Sequence, residues 1–245
     1  MTTTDRRPPA SRARRLPLLS AALLVLLAGL GAFAVSFFFT APTGAPLPLD
    51  EALVRLDSAE GQRLLAESRS ADHQHLSDAF QAQERRAWCG VASSATVLTA
   101  LGTPTDQPGV FTDAAEAVRP SWRASVTGMT LSQLAGILSA HGLRASAHHA
   151  DAGQVEDFRH DASVNLTRPG DYVLINYHRH GLSQEGAGHI SPVSAYHAGS
   201  DRFLVMDVAA HKYPPVWVET DRLWSAMDTT DNDAGRSRGW LTVSR

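Results

Sequence analysis

Among 245 residues there is one cysteine. A lone thiol makes no intrachain disulfide and no multi-thiolate metal site, which leaves Cys89 as packing filler or as a nucleophile. Charge of neither sign dominates: the formal net charge is −3, and nothing argues for a nucleic-acid partner. No phosphate-cradling glycine loop and no internal repeat is present, which sets aside the common nucleotide-binding folds and the solenoids. Histidine is plentiful, at eleven. Yet His148 with His149, His178 with His180, and His197 lack the spacing of a closed zinc site and read as surface or satisfied side chains.

Charge is missing altogether from Leu16 to Phe39. That run of about 24 residues is long enough to cross a hydrocarbon core of roughly 30 Å and exceeds an ordinary signal-peptide apolar region. Arg6, Arg7, Arg12, Arg14 and Arg15 precede it. The expectation is a basic cytoplasmic segment at 1–15, an uncleaved single-pass anchor at 16–40, a proline-stiffened linker at 41–49 and one extracytoplasmic (periplasmic) domain at 50–245. The alternative is a cleaved secretory signal, since Thr43-Gly44-Ala45 is cleavage-like, although Pro46 after it is unfavourable.

Cys89 opens a run in which Val91, Ala95, Leu98 and Leu101 recur at helical spacing and Gly102 stops them. The thiol therefore sits at a helix N-terminus, where unpaired amides and the helix dipole favour a thiolate. A nucleophilic cysteine needs a base and a group to orient that base. Residues 190–197 and 202–208 read as two strands joined by Ala-Gly-Ser-Asp, a hairpin turn. With the turn near 199 or 200, residues facing each other have numbers summing to about 399. His189 and Asp207 sum to 396 and fall close together at the hairpin's open end, with Gly186 and Gly188 leaving the approach to His189 clear.

Laid end to end, Ala87-Trp-Cys-Gly-Val-Ala-Ser93, Gly128-Met-Thr-Leu-Ser-Gln133, Asn176-Tyr-His-Arg179, Gly188-His-Ile-Ser-Pro192, Leu204-Val-Met-Asp-Val-Ala209, Lys212-Tyr-Pro-Pro-Val-Trp217, Leu223-Trp-Ser-Ala-Met227 and Arg238-Gly-Trp240 resemble the catalytic domain of the phytochelatin synthase family. That family is a branch of the papain-like cysteine peptidases, and the resemblance covers roughly residues 45–245. It implies Cys89 as nucleophile, His189 as general base, Asp207 as orienting carboxylate and Gln83, six residues before the nucleophile, as an oxyanion-hole donor, with Gln81 the near-miss. Where members commonly have a basic residue after Asp-Val-Ala, this chain has Ala210 and His211. Arg179 and Lys212 are then the candidate partners for a glycyl or γ-glutamyl carboxylate.

The resemblance also implies a substrate class, glutathione and related γ-glutamyl thiol peptides. It implies that acyl-enzyme formation needs no cofactor, with cadmium or zinc entering as an activator or as a glutathione complex. A chain that stops at Arg245 resembles the short bacterial members, in which glycine release predominates over phytochelatin formation. The expected fold is α+β and papain-like: N-terminal helices, at 50–68, at 90–101 and from the Thr130–Gln133 capping box to Gly142, packed on an antiparallel sheet. Its strands are expected near 143–148, 171–178, 190–197, 202–208 and 239–244, with a loop at 80–88. A bacteriocin-processing cysteine peptidase and a membrane-tethered, histidine-based metal-binding protein are the alternatives.

Overall fold

The uncharged N-terminal run folds as one helix, α1 (Arg15–Phe39), in a computed structural model that describes residues 15–245. The basic segment expected before it lies, but for Arg15, outside the described residues. The chain divides into two units at Thr40 and Ala41. In the first, the stretch Ala21–Phe39 is apolar and long enough to serve as a membrane span or as a signal sequence.

In the second unit, Asp50 Oδ1 accepts the Ala52 N–H (2.9 Å). That turn and a short strand, β1 (Val54–Arg55), replace the first half of the helix expected at 50–68. The Leu56 N–H donates to Pro215 O, tying this segment to a strand rather than to a preceding helical turn. Helix α2 (Ala59–Ala66) starts only at Ser58, whose side chain accepts from the Gly61 N–H. Then follow α3 (His73–Asp78), α4 (Cys89–Ala100), α5 (Asp113–Val118), α6 (Ser121–Thr127) and α7 (Leu131–Ala140), the last closed by the expected capping box.

Strand β2 (Arg144–His149), α8 (Val155–Asn165), β3 (Tyr172–His178), β4 (Gly188–His197), β5 (Arg202–Val205), β6 (Val216–Glu219), α9 (Thr220–Met227), β7 (Thr230–Asp231), β8 (Arg236–Ser237) and β9 (Gly239–Ser244) complete the unit. Seven strands form one antiparallel sheet in the order β1-β6-β5-β4-β3-β9-β2. Alternation along β3 sends Leu174 to one face, against α4 and α7, and Val173, Ile175 and Tyr177 to the other, against α8 and α9. The architecture is α+β, with helices on both faces of the sheet.

The hairpin register is the one the turn predicts: His197 faces Arg202 and Ala195 faces Leu204. A bulge at Ser194 shifts the register so that Val193 faces Val205. Strand β5 ends sooner than expected, because Asp207 turns its Oδ1 back onto the Ala209 N–H (2.8 Å), a local bond that competes with the ladder. The sequence reading passed over α3, α5, α6, α8 and α9. Four of these have eight residues or fewer, about two turns, which is too few for periodicity to show.

Candidate active site

Helix α4 is held at its first turn by packing rather than by a polar cap. Trp88 is buried behind it, its indole N–H donates to Ser125 Oγ (3.0 Å), and the Arg85 guanidinium lies 3.8 Å over its ring. Ser93 Oγ reaches Ile190 O on β4 (3.2 Å), which brings helix and strand together. Gly90 eases that closeness, since a Cβ there would stand 3.3 Å from Ile190 Cδ1 and 2.7 Å from Met129 Sδ. Cys89 is thereby presented, half-buried, as the first helical residue, with free amides at its side.

His189 lies on β4 opposite Tyr177, whose ring meets it edge-on. Its Nε2 pairs with Asp207 Oδ1 at 2.8 Å, which leaves Nδ1 for the neighbouring Cys89 thiol. Asp207 is fully buried and carries a second partner. Arg179 clamps it through two bonds of 2.9 Å and also donates to Gln184 Oε1 (2.7 Å). The structure thus brings together Cys89, His189 and Asp207, and places Arg179 behind them. The Arg179 guanidinium is turned onto Asp207 and Gln184.

These contacts set the protonation states. Burial pushes the Asp207 carboxyl up, but the His189 and Arg179 charges and their hydrogen bonds outweigh it and hold the group well below the usual carboxylate range. For His189, burial and the Arg179 charge push down, and the Asp207 charge and the bonds to Asp207 and Cys89 prevail, leaving it above its ordinary value. Burial pushes the Cys89 thiol up. The His189 hydrogen bond and charge, the Ile190 backbone N–H and the Arg179 charge overcome that and leave it lowered. The arrangement favours a thiolate beside an imidazolium.

Gln83 is buried in the small cavity that also exposes His189 and Lys212. Its main-chain N–H donates to Val208 O (2.8 Å), next to Asp207. Its carboxamide N–H groups donate to Arg85 O (3.1 Å) and Arg86 O (3.0 Å), while its buried Oε1 has no partner. Gln81 is elsewhere, donating to Thr105 O. His148 stacks on Trp240, His197 is held by Ser200 and Glu67, and no group of three or more metal-ligating side chains gathers among the described residues.

On the other side of Cys89 lies a cleft of about 440 Å³ lined by Asn176, Gly188, Asp231 and Arg238. Arg238 is a residue the sequence reading passed over as a site candidate. It is only 8% exposed, its Nε has no partner, and its NH1 is spent on Thr229 and Thr230. Gly188 makes room for it, since a Cβ there would stand 3.0 Å from NH2. A buried guanidinium with no bonded carboxylate, facing a cleft beside a thiolate, is suited to an anionic ligand. Asn176 Nδ2 donates to Asp231 Oδ2 (3.3 Å), fixing a carboxylate in the same cleft.

The sequence matches the family described as phytochelatin synthase over residues 45–240. It is 36% identical over 202 residues to a protein of Triticum aestivum named glutathione gamma-glutamylcysteinyltransferase 1, covering 78% of this chain and 40% of that one. It is 34% identical over 172 residues to a like-named protein of Lotus japonicus, covering 68% and 34%, and 25% identical over 214 residues to one of Schizosaccharomyces pombe, covering 80% and 50%. The chain spans between about a third and a half of the length of these relatives.

Proposed function

Because the chain belongs to the phytochelatin synthase family, we propose that it is a cysteine acyltransferase of papain-like type that cleaves glutathione at its glycine. The observation that carries the reading is the placing of the half-buried Cys89 beside a His189 whose Nε2 is held by the buried Asp207 at 2.8 Å. The Cys89 thiolate attacks the carbonyl joining γ-glutamylcysteine to glycine. The tetrahedral intermediate collapses as the C–N bond breaks and His189 gives its Nδ1 proton to the leaving glycine nitrogen. Water then loses a proton to His189 and attacks the thioester, the C–S bond breaks, and γ-glutamylcysteine leaves. When the amine of a second glutathione takes the place of water, a phytochelatin forms.

Asp207 keeps His189 in one tautomer and orientation, and Arg179 keeps Asp207 in place. The backbone N–H of Cys89 is one oxyanion donor. Gln83 supplies the other by exchanging one of its bonds to the Arg85 or Arg86 carbonyl for the developing oxyanion. Arg238 takes the α-carboxylate of the γ-glutamyl group and Asp231 its ammonium, while Lys212, across His189, takes the carboxylate of the leaving glycine. The chemistry needs no cofactor, and a cadmium or zinc ion enters as a thiolate complex of the acceptor peptide. With the uncharged Ala210 following Asp207-Val-Ala209, acceptor binding is weak and glycine release predominates.

Helix α1 is read as an uncleaved anchor with the catalytic unit outside the cytoplasm, supported by the five arginines just before the apolar run and the uncharged stretch 40–49 just after it. N-terminal sequencing of membrane-extracted protein tests this, and a start near Pro46 would refute it. The catalytic reading is tested by mass spectrometry after brief exposure to glutathione. A mass gain of one γ-glutamylcysteinyl group on Cys89, absent in Cys89→Ala, is expected, and near-normal cleavage by folded Cys89→Ala would end the proposal.

A further inference from the structure

The large apolar side chains left in water are not scattered. Outside α1, the ones that stay exposed among the described residues are Val118 (38% exposed), Trp122 (60%) and Val126 (43%). Trp122 and Val126, four residues apart, share one face of α6, and Val118 ends α5 just before it, across the extended turn at Arg119 and Pro120. Arg119 and Arg123 border the same shallow cavity as Trp122 and Val126. The Arg123 guanidinium lies 5.2 Å from the Trp122 ring, and Arg119 is clipped to the end of α6 through Gly128 O (3.0 Å). The nearest acids are Glu116, engaged by the Ser121 N–H (3.0 Å), and Asp233, which shares a shallow cavity with Trp122 and both arginines.

An aromatic ring between aliphatic residues, with guanidiniums alongside, fits the headgroup level of a bilayer: the rings and aliphatic groups enter the acyl boundary and the guanidiniums meet phosphates. Two turns of helix bind lipid weakly by themselves. A tether changes that. Helix α1 ends at Phe39, and the Leu47 N–H is already bonded to Lys212 O (2.9 Å). The stretch between, Thr40 to Pro46, reaches at most about 25 Å. Held that close, a patch meets the surface at an effective concentration of about millimolar, so a few side chains suffice. The tether joins the folded unit at Lys212, which lines the cavity on one side of His189, and Val126 lines the cleft on the other. Both features therefore border the same mouth.

We infer that Val118, Trp122 and Val126, with Arg119 and Arg123, form a docking surface that seats the catalytic unit on the anionic lipid surface in which α1 is anchored. The inference rests on the anchor reading of α1. It brings the mouth of the Cys89 cleft beside the headgroups and makes turnover sensitive to the lipid around it.

The test uses the full chain reconstituted into vesicles of phosphatidylcholine containing about a third phosphatidylglycerol, with and without bromine on the acyl chains. Helix α1 has no tryptophan, and Trp88, Trp217 and Trp240 are buried, with Trp224 partly so. Quenching by bromolipid therefore reports chiefly on Trp122. The expected result is quenching that Trp122→Phe lowers by half or more, that the Arg119→Glu, Arg123→Glu pair lowers to a similar extent, and that weakens in pure phosphatidylcholine. Equal quenching in the wild type and Trp122→Phe overturns the inference. So does Trp122 fully open to aqueous iodide, as a protein-facing surface awaiting its partner would be, and so does a chain that fails to float with the vesicles. Glutathione cleavage is read on the same samples. Cleavage without quenching refutes the docking surface and leaves the catalytic proposal, and quenching without cleavage does the reverse.

Discussion

Replacing Arg179 by Met should move the whole pH profile in one direction. Its guanidinium makes two 2.9 Å bonds to Asp207, with side-chain exposures of 4% and 1%. Opposite unit charges about 4 Å apart attract by about 4 kcal/mol at an effective dielectric constant near 20. Removing one partner of a buried pair costs about 3–5 kcal/mol, because the survivor stays buried without compensation. Asp207 keeps His189 and the Ala209 N–H, so the lower figure, about 3 kcal/mol, is expected. Against a total stability of about 5–15 kcal/mol the variant still folds. Its urea midpoint should fall by about 1.5 M for a slope near 2 kcal/mol per M.

The signs of the kinetic effects follow from the same charge. In the native enzyme the thiolate is lost as pH falls through the lowered Cys89 value, and the imidazolium is lost as pH rises through the raised His189 value, so kcat/KM is bell-shaped. Arg179 lowers both groups. Without it the acid limb and the alkaline limb both move to higher pH. Asp207→Asn acts differently: the Asp207 charge raises His189, so its loss brings the alkaline limb down. Profiles of kcat/KM for glutathione cleavage, with urea unfolding of each variant, measure both effects. An Arg179→Met enzyme with native limbs and a midpoint within a few tenths molar of the wild type would refute the coupling.

Gln83→Ala should lower kcat by about 10²–10³ with little change in KM, as expected for a donor used in the transition state, while Gln81→Ala leaves both alone. A change confined to KM would remove Gln83 from the oxyanion hole. Arg238→Met should raise KM for glutathione by about tenfold or more with the pH limbs unmoved, since a charge-assisted bond to substrate contributes about 1.5–3 kcal/mol. Unchanged KM would leave Arg238 structural. Chromatography over a glutathione series should find glycine and γ-glutamylcysteine dominant, with phytochelatin rising at high glutathione, and phytochelatin dominating at low glutathione would contradict the weak acceptor site.

What could be read in advance depended on periodicity. Cys89 at a helix start and His189 near Asp207 followed from apolar spacing and from the two-residue period of a hairpin, both local properties. Arg179 and Arg238 could not be sorted that way. Each is a basic residue at the end of a strand-like run, and what separates them is whether a carboxylate closes on the guanidinium, which is decided by a residue 28 positions away for Arg179. Gln83 comes beside the site only through the family resemblance, and the direction of its carboxamide depends on the turn at Arg85 and Arg86. The segment 50–58 was misread as helix because Leu53 and Leu56 fit a helical stripe, while the chain there serves the sheet edge through Pro215 and Val216.

The bulge at Ser194 has a consequence for how this gene can change. Ser194 is pinned from outside the hairpin, its Oγ 3.0 Å from His73 Nδ1 on α3, and it is the extra residue on its strand. Loss of that single codon would close the bulge and leave Val193 on Val205 and Ala195 on Leu204, whereas loss of a codon within β5 would carry residues 189–193 one step out of phase and present their opposite faces. An inserted codon at the Gly199–Ser200 tip would only lengthen the turn. Between codons 189 and 207, then, freedom to gain or lose residues is confined to two places, the loop at the tip and the bulge, and elsewhere along the strands length is inherited as strictly as identity.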